Sequence, residues 1–526
     1  MGSLIGVLFG LYIIYLGVKH ISSKVGIDFH ALFGGKHFFG FIFSIFASVF
    51  KPFGYFLSSL SIPMQRLLGL TLQLPKHYEG FMPSLQKFFL LNRFHTGLLM
   101  NGKRDRISPN HSFTHSIIVA NTGRGKTSSF VIPNIFTLDN CSILVTDLSG
   151  GLYTQTSGKM KEKGFEIKTI NLANTNKSSM FNPLASVKTD RDILEVVEIL
   201  FNASNVKSSD TFWDQGARTI LKLIITCLVN QRERDKTDEF CNLANVRFLL
   251  NNFGKSGKGI TNFFAKYADD ITLNDFNGFI SGSEKTTQGL ISTALSCLSI
   301  VGTETIARLT SKNEIDFSEI RNRKTIVYLI IPQQDLSAYS FILNLFYARF
   351  FKACFESKTT NTLPVYCLLD EAGHTKIPNL ATVIATIRKY KVSISLIFQS
   401  LSQMTNLYGK DEAQVILGGG ITSKVFYAGC DDETCDKLEK ILGNITVQET
   451  DKNGRIYTKQ TPLMTAQEIR MMGNNQALYL FSNKKPILMT LQPYFRSWKF
   501  NSYTKIEPYT GIDRALPSVK YVNLDC

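Results

Sequence analysis

The sequence predicts an α/β fold with a mainly parallel sheet, and three observations support this. Short aliphatic or β-branched runs recur between residues 116 and 491, and several are apolar without alternation. Unbroken apolar runs are typical of parallel strands that helices cover on both faces. Helical patterns lie between some of the runs, as an α/β fold requires. The first run also leads into a glycine-containing loop at residues 120–128, which resembles a motif that joins a strand to a helix.

Eight segments are predicted as strands: 116–120, 142–147, 325–331, 365–370, 392–398, 424–428, 477–481 and 486–491. The interval 190–312 contains no convincing strand. Apolar residues recur there with the i, i+3, i+4, i+7 spacing of amphipathic helices, as in Ile193, Val196, Val197 and Leu200. We therefore expect an all-α insertion in the α/β domain, with its apolar stripes packed in the core.

The composition limits the classes of function. The chain has 526 residues and a net charge of +16, which favours a polyanionic partner or an anionic membrane face; a generally basic, solvated surface is the alternative. Nine cysteines are scattered without a C-x-x-C pair. This pattern indicates reduced thiols in a cytosolic compartment, without a disulfide framework or a zinc site.

The N-terminal region, residues 1–65, resembles a membrane anchor. Residues 2–18 carry no charge, and residues 38–62 are apolar except for the interruption at Lys51 and Pro52. Both stretches are near the length that spans a bilayer, although the charge within the second makes an interfacial or core helix the alternative there. Basic residues follow the second stretch, so the positive-inside rule predicts that the rest of the chain is cytoplasmic.

The loop after the first predicted strand nearly fits the phosphate-binding pattern G-x-x-x-x-G-K-[ST]. Lys126 would neutralise the β- and γ-phosphates, and the hydroxyl of Thr127 would bind Mg²⁺. The first position holds Ala120 instead of glycine, and a methyl group is tolerable there if φ is negative. The candidate nucleotide-binding residues are Ala120, Asn121, Thr122, Gly123, Arg124, Gly125, Lys126, Thr127 and Ser128.

A second motif supplies acidic partners. Asp370 and Glu371 follow a buried apolar strand, and a carboxylate there is costly unless it meets a cation. Asp370 is then a candidate Mg²⁺ ligand together with Thr127, and Glu371 is placed to orient or deprotonate the attacking water. Gln399 follows the next predicted strand and could sense the γ-phosphate through water, but a strand-end amide without such a role is an equally open interpretation. On the residues alone, Arg388 is most simply an ordinary arginine on a helix surface.

Several further segments resemble one family, the coupling-protein ATPases of type IV secretion and conjugation (the TraG/TraD class). The similarity extends through residues 85–430, and the order of the segments agrees as well. The matching stretches are 146–158, 170–184, 210–221, 282–298 and 368–404. A departure occurs at residues 148–151, where relatives commonly carry Pro-Lys-Gly-Glu and this chain has Leu-Ser-Gly-Gly.

The resemblance implies a multi-pass protein of the bacterial inner membrane that acts as a hexameric, ATP- and Mg²⁺-dependent motor. It implies a RecA-like P-loop NTPase domain at residues 66–189 and 313–505, an all-α domain at 190–312 and a C-terminal tail at 506–526. The motor would recruit a relaxase or adaptor with single-stranded DNA, secreted proteins or both to a type IV secretion channel. Glu371, Gln399 and Arg388 become the candidate catalytic residues, with Arg388 offered to the nucleotide of the neighbouring subunit.

Two other functions remain open. A chromosomal DNA translocase of the same superfamily should lack the Phe-Trp motif that this chain carries at Phe212 and Trp213. A membrane adaptor with an inactive nucleotide site would explain Ala120 and the altered loop at 148–151. It would not explain why both strand-end carboxylates remain.

Overall fold

A computed structural model describes residues 80–203, 211–253, 257–357, 360, 362–450 and 456–524. The strands in this part are β1 (Ser116–Val119), β2 (Ser142–Asp147), β3 (Glu166–Asn171), β4 (Thr325–Ile330), β5 (Val365–Leu369), β6 (Val392–Phe398), β7 (Ser423–Tyr427), β8 (Asn444–Thr450), β9 (Ile456–Pro462), β10 (Gln476–Phe481) and β11 (Ile487–Thr490).

Nine of these strands form one sheet in the order β11-β10-β7-β1-β6-β5-β2-β4-β3. The strands from β7 to β3 in this order are all parallel to their neighbours, whereas β10 pairs antiparallel with β7 and with β11. The mainly parallel sheet predicted from the apolar runs is therefore confirmed. β8 and β9 form a separate antiparallel hairpin.

The sequence criteria missed three strands for a physical reason. β3 lies at an edge of the sheet and carries Glu166 and Lys168, so it lacks the unbroken apolar run of a strand covered on both faces. The residues of β9 from Ile456 to Gln460 are exposed, and its hairpin partner β8 is likewise rich in polar residues. The eight predicted strands exist, with ends that differ by at most one residue.

The helices surround the sheet. They are α1 (Ser84–Leu90), α2 (Pro109–Ser112), α3 (Ile132–Thr137), α4 (Gly151–Glu162), α5 (Asp190–Ala203), α6 (Thr211–Asp235), α7 (Leu243–Asn252), α8 (Gly257–Tyr267), α9 (Asp270–Ile280), α10 (Glu284–Cys297), α11 (Glu304–Leu309), α12 (Ser340–Glu356), α13 (Leu380–Thr386), α14 (Leu401–Tyr408), α15 (Lys410–Gly419), α16 (Asp432–Leu442), α17 (Ala466–Arg470) and α18 (Trp498–Tyr503).

β1 shows how both faces of the sheet are buried. Ile117 and Val119 pack in a core that includes helices α5 to α11, whereas Ile118 packs in a second core with α3 and α4. The described residues between 190 and 312 contain helices and no strand. The apolar core runs without interruption from these helices to the sheet, so the exact domain boundaries stay a prediction.

The predicted membrane spans at residues 2–18 and 38–62 lie outside the described residues. Within the described ranges, no helix combines the length and the apolar character that crossing a bilayer requires. The eight cysteines in these ranges are buried and form no disulfide with one another.

A buried ion network joins the helical interval to α12, the helix that links β4 and β5. The side chain of Arg349 on α12 is 1% exposed and lies 2.5 Å from Oε2 of Glu195 on α5. Asp192, also on α5, is 4% exposed, lies 3.9 Å from Arg349 and pairs with Lys352. Removing one partner from such a network leaves a buried charge without compensation.

We predict that Asp192→Asn destabilises the protein by about 3 kcal/mol, measured as a lower midpoint of denaturation at neutral pH. The matched control is Glu198→Gln on the same helix, because Glu198 forms a solvent-exposed pair with Arg218 that is worth about 0–1 kcal/mol. Equal effects of the two substitutions would contradict the structural role of the buried network.

Candidate nucleotide-binding site

The parallel register of three neighbouring strands brings the sequence motifs to one edge of the sheet. β1 pairs with β6 from Ser116 to Val119, and β6 pairs with β5. Carboxyl ends of parallel strands meet at the same edge, which is where α/β sheets bind ligands. The phosphate loop after β1, the acidic pair after β5 and Gln399 after β6 therefore lie together.

The loop adopts the backbone conformation that its glycines allow. Gly123 has φ +76° and Gly125 has φ +83°, which residues with a Cβ rarely adopt. Ala120 is fully buried and does not have a positive φ, and its N–H donates to the carbonyl of Phe398 at 3.1 Å. Ala120 thus extends the pairing of β1 with β6, and this position does not require glycine.

The remaining loop residues hold the loop in place or face solvent. The side chain of Asn121 donates to the carbonyl of Gly429 at 2.5 Å, and Arg124 donates to Oδ1 of Asn474 at 2.5 Å. Ser128 donates to the carbonyl of Gly125 at 3.2 Å, and Thr122 is exposed. These contacts anchor the ends of the loop and leave its tip open.

Lys126 lies at the start of the helix that follows the loop, which begins as a π-helical turn at Thr127–Val131. Its side chain is 7% exposed, and Nζ lies 3.2 Å from Oε1 of Glu371. Within the described ranges, Nζ has no acceptor of hydrogen-bonding geometry. A buried ammonium group with unused donors fits the phosphate oxygens of a nucleotide.

Asp370 and Thr127 form the second contact between the two motifs. Oγ1 of Thr127 donates to Oδ2 of Asp370 at 2.8 Å, and the N–H of Glu371 donates to Oδ1 at 3.1 Å. Burial raises the pKa of Asp370 to about 6, although the bond from Thr127 opposes this shift. Too little positive charge surrounds the carboxyl group to offset its burial. A carboxylate beside a hydroxyl group is a combination that fits Mg²⁺.

The described residues contain no cluster of three or more His, Cys, Asp or Glu side chains around a potential metal position. Mg²⁺ in phosphate-transfer sites does not require such a cluster, because it is held by one or two carboxylates and completes its coordination with phosphate oxygens and water. Thr127 and Asp370 are the residues of this chain that would hold it.

Glu371 has three charged or polar partners around its carboxylate. Oε2 accepts from Nε2 of Gln399 at 3.1 Å and contacts Nε2 of His374 at 2.8 Å, while Oε1 faces Lys126. Burial alone would raise the pKa of Glu371, but Lys126, Gln399 and His374 outweigh it and hold the pKa below its usual value. Glu371 is therefore a charged carboxylate with partners on both of its oxygens.

His374 is the site residue that sequence reasoning missed. It follows Glu371 by three residues in a segment without helical or strand periodicity. Glu371 itself has φ +60°, a left-handed conformation that is uncommon for glutamate and that clusters at functional sites. The resulting turn brings the imidazole back to the carboxylate, and no local pattern in the sequence signals such a turn.

Arg388 is not brought to this edge. It is exposed on a 3-10 turn at Ile387–Tyr390, just before β6 begins. Gln399 follows the carboxyl end of the same strand, so about 20 Å of strand separates the two positions. Arg388 therefore lies away from the phosphate loop of its own chain.

The altered loop at 148–151 has a structural explanation. Asp147 ends β2, and its side chain accepts from the N–H of Ser149 at 3.3 Å and from the N–H of Tyr153 at 2.8 Å. Gly150, with φ +73°, precedes the first residue of α4. Asp147 thus satisfies donors at the amino end of α4, and the short loop provides the turn.

We predict that Asp370→Asn stabilises the nucleotide- and Mg²⁺-free protein at pH 7.5 by roughly 1–3 kcal/mol. The folded-state pKa of Asp370 lies above the unfolded value, so the folded protein loses stability as the pH rises from about 4 to about 6. The variant lacks this loss, and its advantage in melting temperature should vanish near pH 4.

The exposed carboxylate of Asp513 offers a control, since Asp513→Asn should not change the melting temperature in this way. An Asp370→Asn protein that is less stable than the wild type at pH 7.5 would contradict this. It would show that neighbouring groups already offset the free-energy cost of burying the charged Asp370 carboxylate.

Comparison with known proteins identifies the family. The family model described as type IV secretory system conjugative DNA transfer matches residues 91–514. Protein VirD4 from Rhizobium radiobacter is 24% identical over 411 residues, which cover 72% of this chain and 57% of VirD4. The conjugal transfer protein TraG from Rhizobium radiobacter is 24% identical over 410 residues, covering 73% of this chain and 62% of TraG. The chain thus spans about three fifths of the length of these relatives.

Solved structures agree in fold. The bacterial conjugative coupling protein TrwBdeltaN70 in an unbound form superposes with a TM-score of 0.60 at 14% identity, covering 76% of this chain and 90% of that protein. TrwB in complex with ADP and Mg²⁺ gives a TM-score of 0.60 at 13% identity, covering 78% and 93%. The mixed α/β class with a mostly parallel, RecA-like sheet is therefore confirmed. The chain belongs to the type IV secretory system conjugative DNA transfer family.

Proposed function

We propose that the chain is a membrane-anchored, ATP-driven coupling protein that recruits nucleic acid, protein or both to a type IV secretion channel. The observation that carries this proposal is the convergence of Lys126, Thr127, Asp370, Glu371 and Gln399 at one edge of a parallel sheet. A chain that had lost the reaction would have no reason to keep a buried lysine opposite two strand-end carboxylates.

Each of these residues has a defined part in ATP hydrolysis. Lys126 and the N–H groups of the loop would bind the phosphates, and Thr127 and Asp370 would hold Mg²⁺, which neutralises phosphate charge. Glu371 would orient and deprotonate the attacking water, and Gln399 would hold the carboxylate of Glu371 in place. TrwB of the same fold has been solved with ADP and Mg²⁺ and with a non-hydrolysable ATP analogue, which supports this use of the site.

The partners follow from family and charge. VirD4 and the conjugal transfer protein TraG are relatives, and the net charge of +16 suits a polyanion. We expect binding of single-stranded DNA through its phosphates, with an affinity that falls steeply with salt. A relaxase or adaptor would deliver the DNA or a secreted protein, and residues 1–65 would anchor the chain in the inner membrane with its remaining domains in the cytoplasm.

The position of Arg388 suits a ring of subunits, which we propose is a hexamer, better than a monomeric enzyme. The side chain is exposed and lies at the opposite end of β6 from the site of its own chain. An arginine in this position would reach the nucleotide of a neighbouring subunit, where it stabilises the charge of the transferred phosphate. The complete site would then consist of residues from two copies of the chain.

The proposed function predicts distinct losses for two substitutions. Lys126→Ala should abolish ATP hydrolysis by weakening nucleotide binding, because it removes the buried cation that meets the phosphates. Glu371→Gln should retain nucleotide binding and lower kcat by roughly 100-fold or more, because it removes the base. Both are measured as steady-state hydrolysis and nucleotide affinity of the full-length protein, with and without single-stranded DNA.

Lys161→Ala is the matched control, since Lys161 is an exposed lysine on α4 and its loss should leave hydrolysis unchanged. A wild-type protein no faster than Lys126→Ala in the presence of DNA would overturn the motor and favour the adaptor that recruits substrates without hydrolysis.

The position of Arg388 predicts complementation between subunits. Arg388→Ala alone and Lys126→Ala alone should each be inactive. When the two variants are mixed, some interfaces combine an intact phosphate loop with an intact arginine, so part of the hydrolysis should return. The measurement is the hydrolysis rate as a function of mixing ratio, with exposed Lys389→Ala in place of Arg388→Ala as the control. Absence of activity at every ratio, in rings shown to contain both variants, would contradict a shared site.

A further inference from the structure

The two carboxylate oxygens of Glu371 have different partners. Oε2 is held by Nε2 of His374 at 2.8 Å and by Nε2 of Gln399 at 3.1 Å. Oε1 faces Nζ of Lys126 at 3.2 Å. The contacts to Oε2 come from residues next to the site, whereas Lys126 belongs to the loop that would bind the nucleotide.

The contact of His374 depends on a turn that is itself well supported. The N–H of His374 donates to the carbonyl of Glu371 at 3.2 Å, and the N–H of Ala372 donates to the carbonyl of Ile397 in β6 at 3.0 Å. A Cβ at Gly373 would lie 2.0 Å from the side chain of Gln403. The turn is thereby held between β6 and α14, with the imidazole directed at Oε2.

Gln403 connects the turn with the second partner of Oε2. Its Oε1 accepts from the backbone N–H of Gln399 at 2.9 Å, and its side chain packs against Gly373 of the turn. One residue of α14 thus supports both the segment that carries His374 and the residue Gln399. Neither donor to Oε2 belongs to the phosphate loop.

We propose that His374 is a positioning residue that, with Gln399, anchors Oε2 of Glu371 so that Oε1 acts as the base. This inference rests on the proposed ATP hydrolysis. In this structure Nζ of Lys126 faces Oε1 at 3.2 Å. When ATP binds, its phosphates attract Lys126, and Oε1 becomes available to water while Oε2 stays in place. Nucleotide binding thereby switches the base on.

In the hydrolytic step, one bond to the γ-phosphorus forms and one breaks. The oxygen of water forms a bond to the γ-phosphorus, and one proton of that water passes to Oε1 of Glu371. The bond between the γ-phosphorus and its bridging oxygen breaks, with the electron pair leaving on ADP. The proton on Oε1 returns to solvent before the next cycle. His374 donates to Oε2 throughout and need not exchange a proton itself.

The test compares two substitutions at position 374 in the full-length protein. His374→Gln places an amide Nε2 the same number of bonds from the backbone as the imidazole Nε2, so it keeps the donor. His374→Leu removes the donor at similar size. We expect His374→Leu to lower kcat roughly 10- to 100-fold, because a poorly oriented base is inefficient, with KM for ATP unchanged. His374→Gln should stay within about threefold of the wild type.

Lys376→Leu is the control, because Lys376 follows the same turn and forms a half-exposed pair with Glu412; its kcat should equal that of the wild type. If His374→Leu keeps the wild-type kcat, or if His374→Gln loses as much as His374→Leu, the positioning role is overturned. A parallel fall in ADP affinity for His374→Leu would also overturn it, since the proposed role gives His374 no contact with the nucleotide. Failure of the proposed function is seen separately, as a wild-type protein without hydrolysis.

Discussion

The site depends on the close approach of the buried ammonium group of Lys126 to the two carboxylates that follow β5. The parallel register of β1, β6 and β5 forces the phosphate loop and Asp370–Glu371 onto one edge of the sheet. Burial of these charged groups costs free energy unless they pair with each other or with a ligand. Nζ of Lys126 lies 3.2 Å from Oε1 of Glu371, while burial raises the pKa of Asp370 to about 6. This arrangement suits a polyanion accompanied by a divalent cation.

Motifs confined to a few neighbouring residues could be predicted from the sequence. Lys126 and Thr127 follow two glycines, and Asp370 and Glu371 end an apolar run, so spacing alone indicated their place. Ala120 looked like a defect only because the pattern demands glycine there; a buried residue that continues the pairing of β1 needs no positive φ.

Features that depend on contacts between distant segments were beyond the sequence. The contact of His374 with Glu371 requires a left-handed glutamate and a turn supported by α14, neither of which has a local signature. The edge strand β3 was not predicted from the sequence, because its outward-facing residues are charged. Arg388 could be singled out only through the family resemblance, since it is exposed and lies away from the phosphate loop of its own chain.

We infer that nucleotide binding transfers Lys126 from Glu371 to the phosphates. A structure of the full-length protein with Mg²⁺ and a non-hydrolysable ATP analogue tests it most directly. We expect Nζ of Lys126 to contact phosphate oxygens and Oγ1 of Thr127 to contact Mg²⁺. Oε1 of Glu371 should be free of Lys126, while Oε2 still contacts His374 and Gln399. A bound analogue with Lys126 still paired to Glu371 would contradict it.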